Sequence, residues 1–257
     1  MATWQDLETE LELWRAAGER PTFWWRDDDT EAPTDALRRL IGLSGKYGAP
    51  LHLAVIPAQI DPGLAPLLET APHVWSMQHG FAHKNHEPKG LRASEVGVSR
   101  DLALQETDLR EGWRRMQAAA LPRLTPIFVP PWNRIGDQVV PHLSDWGYLA
   151  LSGFDRRSLR QHPSGLHQIN GHIEPLRWRP DAQFAGEAKT LEQCVTHLRE
   201  RRTGLADKDE ATGLVTHHLQ TPEVVWEFCD ALAARLSHNN RADWIAIDPL
   251  VREQTNA

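Results

Sequence analysis

The sequence predicts an α/β fold: a parallel (β/α) barrel of seven or eight strands in a single domain. Three observations lead there. Short runs rich in β-branched and aromatic residues alternate with longer runs whose apolar residues recur at helical spacing, the pattern of a mostly parallel sheet. Seven or eight such units within 257 residues suit a barrel better than a small open sheet. Polar residues also gather just after five of the strand-like runs, and the C-terminal strand ends are where a parallel barrel carries its chemistry.

The first strand is TFWWR (22–26), which runs into Asp27, Asp28 and Asp29. A helix follows, with Thr34 as N-cap and Leu37, Leu40 and Ile41 on one face. LHLAVI (51–56) and HVWSMQ (73–78) are the next strands, and the second runs into His79 and His83. After a polar loop over 87–99, Leu102, Leu109, Trp113 and Met116 share a helical face. TPIFV (125–129) leads into Pro130, Pro131, Trp132 and Asn133, and YLALS (148–152) leads into Asp155. LHQIN (166–170) precedes His172 and Glu174, which either border a pocket or form a hairpin turn. TLEQ (190–193) reads as a capping box ahead of the stripe Leu191, Cys194, Val195 and Leu198. GLVTHH (213–218) ends on His217 and His218, Thr221-Pro222 opens the last helix, and WIAI (244–247) is the final strand.

Composition narrows the function. Hydrophobic residues at 40% and charged residues at 25% are ordinary for a globular protein. A net charge of −7 argues against non-specific nucleic-acid binding, which needs excess Lys and Arg. No apolar run approaches the ~18 residues of a membrane span. The polar, acidic N-terminus lacks the apolar core of a signal peptide, so a cytoplasmic location is expected. Two cysteines, Cys194 and Cys229, make no disulfide framework. Eleven tryptophans are unusual; most are expected to pack, with a minority lining a site.

His79 and His83 carry the chemistry. On a helical turn, residues four apart share a face with Cβ atoms ~5–6 Å apart, so two imidazoles can reach one ion. A third ligand from another strand, such as an Asp, would leave a position open for water, as in catalytic rather than structural zinc sites. His86, three residues on, is expected to orient the loop or to face solvent.

These residues resemble the polysaccharide deacetylase family, carbohydrate esterases with a distorted (β/α) barrel and one divalent metal ion. The family has five ordered motifs. Its Thr-Phe-Asp-Asp-Gly resembles the run Arg26 to Asp29, and its His-x-x-x-His matches His79 to His83. Its Arg-x-Pro-Tyr resembles Val129 to Trp132. Its Asp-rich fourth motif is at best Ser152 to Asp155, and its fifth resembles Val215 to His217. The resemblance spans roughly residues 20 to 220.

The resemblance implies a hydrolase that removes an N- or O-linked acetyl group from a sugar. Asp27 would be the general base, and Asp28, His79 and His83 would hold the ion, expected to be zinc. The shifted reading makes Asp28 the base and Asp29 the ligand. The Trp132 backbone N–H would hold the oxyanion. His217, rather than His218, would protonate the leaving group, with Asp155 orienting it. The family arginine is Val129 here, so another cation should replace it: Arg134 on the same loop, or, less favoured, Arg26. Two other readings stand beside this one: hydrolysis of a small non-sugar amide, and non-catalytic carbohydrate binding.

Overall fold

The computed structural model describes residues 1–248; the end of the expected 1–257 domain lies outside the described residues. Helix α1 (Trp4–Ala16) precedes strand β1 (Thr22–Thr30), α2 (Asp35–Lys46), β2 (Leu51–Val55), α3 (Leu64–Glu69) and β3 (Val74–His79). Then come α4 (Leu102–Ala118), β4 (Leu124–Val129), β5 (Ala150–Leu151), β6 (His167–Gln168) and the hairpin β7 (Leu176–Arg177) and β8 (Gln183–Phe184). The chain continues with α5 (Glu187–Thr203), β9 (Thr212–Thr216), α6 (Glu223–Ser237) and β10 (Asp243–Trp244).

The main sheet is parallel throughout, in the order β9-β1-β2-β3-β4-β5-β6. β10 pairs with the start of β1, Thr22 opposite Asp243. Bridges between Phe154 and Gly171 and between Ile173 and Leu214 carry the chain from β5 toward β9. The sheet therefore curls into the distorted (β/α) barrel that was expected. Among the described residues, no helix is long and apolar enough to cross a membrane. Cys194 and Cys229 are both buried and free.

Period-two alternation sorts the strand residues into two layers. Trp24, Ala54, Met77, Ile127, Val129 and Ala150 pack together inside the curl. Their neighbours Phe23, Trp25, Leu53 and Val55 pack outward against Leu37, Leu40, Leu232 and other helical residues. On the far side Phe128, Tyr148 and Leu151 pack with Leu109 of α4. The same alternation continues past Trp25 and decides which aspartates of β1 face the interior.

Several boundaries differ from expectation. β1 extends through the aspartates to Thr30, because Asp27 still pairs with Leu53 and Thr216. Thr34 caps α2 as predicted, its Oγ1 accepting the Leu37 N–H at 3.1 Å, worth about 1 kcal/mol. Thr190 is no cap: α5 starts earlier, at Glu187, and the Thr190 hydroxyl donates back to the Gly186 carbonyl at 3.0 Å. Thr221 likewise donates to the His217 carbonyl, and Pro222 occupies the N-cap of α6. Of WIAI (244–247), only Trp244 is in a strand.

Candidate active site

β1 builds the centre of the site. Arg26, two residues after the inward-facing Trp24, points inward and is fully buried, and Asp28 follows on the same face. The Arg26 Nε lies 2.9 Å from Asp28 Oδ1, and Nη2 donates to Asp28 Oδ2 at 3.0 Å. The remaining guanidinium hydrogens go to the Ser152 carbonyl and hydroxyl, the Gly153 carbonyl and Asn133 Oδ1.

Asp27 falls on the other face. Its carboxylate accepts the Thr216 hydroxyl at 2.7 Å and the His218 N–H at 3.0 Å, and it pairs with His218 Nδ1. It is fully buried there, behind the sheet. The alternation that puts Arg26 opposite Asp27 puts it beside Asp28, which is why Arg26 rather than Arg134 meets an inward carboxylate. Arg134 donates instead to the Ala93 carbonyl at 2.9 Å. This corrects the expectation that Arg134 would reach the aspartate run.

Asp29 escapes the alternation. Its φ is 65°, a left-handed conformation unusual for a non-glycine residue, and the β1–β2 register shifts between Asp27 and Thr30. The bulge brings Asp29 Oδ1 to 3.2 Å from His79 Nε2 and 3.3 Å from His83 Nε2. Asp28, assigned above as the ligand, is taken by Arg26; Asp29 meets the histidines, as in the shifted reading of the run.

His79 and His83 do not share a helical turn as expected. His79 ends β3, Gly80 turns the chain at φ 55°, and His83 sits at φ 52°. Gly80 is required: a Cβ there would lie 1.9 Å from Glu95 Oε2 and 2.6 Å from Pro131 Cγ. The buried Glu95 holds this turn by accepting the N–H groups of Phe81, Ala82 and Lys84. The histidine rings end 5.1 Å apart. His86 contributes its N–H to the Ser94 carbonyl in the same loop.

This trio fits a divalent cation. Its three donor atoms lie within 4.8 Å of one another, and Asp29 Oδ1 is a buried oxygen with no hydrogen-bond partner. His79 Nδ1 faces the Val129 carbonyl at 3.0 Å, which fixes its proton there and leaves the Nε2 lone pair toward Asp29. Two imidazoles and one carboxylate make a donor set of the catalytic zinc type.

His217 stands across from the trio, with Nε2 3.8 Å from Asp28 Oδ2 and Nδ1 3.6 Å from Glu174 Oε1. Burial disfavours its charge, but Glu174 and the two nearby aspartates outweigh that and push its pKa up to about 9. Glu174 therefore occupies the place expected for Asp155, which is exposed on the rim of the same cavity. Among the described residues, no ion pair joins Asp155 to His217. Trp132 has φ 56° directly after Pro130-Pro131. The N–H groups of Asn133 and Arg134 are taken by the Pro130 and Pro131 carbonyls, while no acceptor among the described residues takes that of Trp132. The Trp132 ring lies 4.3 Å from His83, and Trp178 meets His217 edge-on at 4.5 Å. All of these groups line one cavity of ≈ 890 Å³ at the C-terminal end of the strands.

A second histidine cluster has a different character. His172 Nε2 and His197 Nε2 lie 3.2 and 3.6 Å from Glu210, with their rings stacked 3.5 Å apart. His172 Nδ1 accepts the Gly213 N–H, so the neutral ring carries its proton on Nε2 and has no lone pair there for a metal. Glu210 also accepts the Arg157 N–H, completing a buried polar knot between α5 and β9. Of the pair His172 and Glu174, only Glu174 borders the main cavity.

No family model and no curated relative matches the sequence. Solved structures do match its fold. A Mycobacterium smegmatis protein assigned as a polysaccharide deacetylase superposes with TM-score 0.66 at 15% identity, covering 92% of this chain and 90% of that one. A family 4 carbohydrate esterase from Streptomyces lividans, solved with acetate, gives 0.55 at 12% identity over 90% and 94% of the two chains. A family 4 acetyl xylan esterase from Clostridium thermocellum, solved with a cobalt ion, gives 0.50 at 12% over 91% and 92%. A CE4 family pseudoenzyme shares the fold as well, so the fold alone does not decide activity.

Proposed function

We propose that the protein is a metal-dependent hydrolase that removes acetyl groups from a carbohydrate. The observation that carries this reading is the inward Arg26–Asp28 pair set beside the convergent Asp29, His79 and His83, with His217 facing both Asp28 and Glu174. The likeness of the fold to polysaccharide deacetylases and carbohydrate esterases supports it.

Asp29, His79 and His83 hold the ion, with zinc or cobalt as suitable occupants of such a donor set. A divalent ion bound there supplies Lewis acidity toward an acyl carbonyl and makes water acidic enough to attack near neutral pH. Asp28 takes the proton from the attacking water, and Arg26 keeps its carboxylate aimed. The Trp132 N–H donates to the developing oxyanion, its direction set by the two prolines before it. His217, held protonated by Glu174, gives its proton to the leaving amine or alcohol. An amine anion is too poor a leaving group to depart without that proton. Trp132 and Trp178 offer ring faces on which a sugar can lie.

The test is acetate release from acetylated chitooligosaccharides and acetylated xylan, with zinc-loaded, cobalt-loaded and chelator-treated protein. Activity is expected only with metal, and Asp28→Asn should lower kcat by roughly 10²-fold or more while metal stays bound. No acetate from any acetylated carbohydrate by metal-loaded wild type would retire this reading.

A further inference from the structure

The proposed active-site cavity is rimmed by cations that have no anion to serve. Arg92, Arg134, Arg177, Arg179 and Lys189 all line it. They come from separate elements: the loop after β3, the loop after β4, the β7–β8 hairpin and the first turn of α5. Among the described residues, none of the five has a carboxylate within ion-pair distance. Arg134 and Arg177 donate only to the Ala93 and Arg179 carbonyls and to the Gln183 side chain. Arg92, Arg134 and Arg179 are close enough that the charges of the other two, after burial, push the Arg134 pKa down.

Most other cations among the described residues pair with a carboxylate, although Arg123 and Arg201 serve carbonyls and hydroxyls instead. The net charge is −7, so carboxylates are in excess. At the opposite end of the strands, a cavity of ≈ 590 Å³ is bordered by Arg201, whose guanidinium is taken up by carbonyls and hydroxyls, and by Arg20, Arg157, Arg160 and Lys208. Each of those four is paired, with Asp243, Asp207, Asp209 and Glu19 respectively. The inner acids of the active-site cavity do not account for its rim either. Asp28 is paired with Arg26, Glu174 faces His217, and Asp29 faces the two histidines. Among the described residues, the exposed Asp155 is the one acid left on the rim. Holding several like charges unpaired around one cleft destabilises the free protein slightly, and an anionic ligand relieves it.

Resting on the deacetylase reading, we infer that the substrate is an acetylated sugar carrying an anionic group, a phosphate or a carboxylate, which docks against Arg92, Arg134 and Arg179. The neutral acetylated ring then lies toward Trp178 and the metal-binding trio. The anion forms charge-assisted hydrogen bonds with guanidinium groups, which suit both oxyanions.

The experiment compares N-acetylglucosamine, N-acetylglucosamine 6-phosphate and N-acetylmuramic acid with zinc-loaded wild type and the Arg92→Gln/Arg179→Gln double variant. Both replaced side chains are exposed, so the variant should fold. Wild type is expected to favour at least one anionic sugar by about tenfold or more in kcat/KM, as a charged hydrogen bond implies. That preference should shrink as salt rises and collapse toward unity in the double variant. Which arm shows the larger preference identifies phosphate or carboxylate. Equal use of neutral and charged sugars by wild type, or a preference that survives in the variant, overturns the inference. If wild type releases no acetate from any of the three, calorimetric binding of the same sugars decides separately. Tighter binding of an anionic sugar, lost in the variant, upholds the anion site even though the deacetylase reading fails; equal binding of all three rejects it.

Discussion

Replacing Arg26 with Met isolates what holds Asp28 in place. The guanidinium is fully buried and meets both Asp28 oxygens at 2.9 and 3.0 Å, along with Ser152, Gly153 and Asn133. Met fills similar volume without charge, so the loss is one of pairing rather than packing. Removing one partner of a buried pair leaves the other charge uncompensated and costs about 3–5 kcal/mol. For a chain of this size each kcal/mol moves Tm by roughly 2–4 °C, so Arg26→Met should melt roughly 6–20 °C lower. The double variant Arg26→Met/Asp28→Leu removes both charges and should recover most of that loss, because an apolar pair of similar volume is tolerated where a broken ion pair is not. Urea unfolding followed by circular dichroism gives all four corners of the cycle, and acetate release should be lost in every variant. A loss below about 1 kcal/mol in Arg26→Met, or no recovery in the double variant, refutes the claim that this pair is the charged keystone of the site.

Glu174→Gln removes the main support of the His217 charge. His217, with a pKa raised to about 9, is protonated at neutral pH, and activity should fall as pH rises through that value. The variant should lose activity at lower pH, which a pH–rate profile in kcat reads directly. Because the folded pKa lies above that of the unfolded chain, the associated stability is present below about 6.5 and lost as pH climbs toward 9. Asp27→Asn should behave as a structural lesion: it weakens bonds to Thr216 and His218, costing on the order of 2–3 kcal/mol in urea unfolding.

Much of the architecture was legible because alternation is a strong local signal. TFWWR, LHLAVI and TPIFV are strands for the reason they appear to be, and the polar residues after them meet at one end of the barrel. The aspartate run was harder. Carrying the inside–outside pattern from Trp24 through Arg26 would have placed Asp28 inward and Asp27 outward. That pattern could not have placed Asp29, whose bulge and positive φ depend on the β2 pairing rather than on its own residue type. Glu174 and Glu95 carry no sequence signal of their roles for a related reason. Each acts across long sequence separation, Glu174 on His217 and Glu95 on the turn after His79, and no local periodicity marks such a contact. Arg134 looked suitable by proximity along the chain, yet its guanidinium turns to the Ala93 carbonyl.

The claim on which the rest depends is that Asp29, not Asp27 or Asp28, completes the metal site with His79 and His83. Equilibrium dialysis against zinc, followed by elemental analysis, measures it without reference to any substrate. Wild type and Asp27→Asn are expected to bind one ion per chain, while Asp29→Asn and His83→Ala lose affinity by at least about tenfold. Full zinc in Asp29→Asn, with loss in Asp27→Asn or Asp28→Asn, would contradict the account.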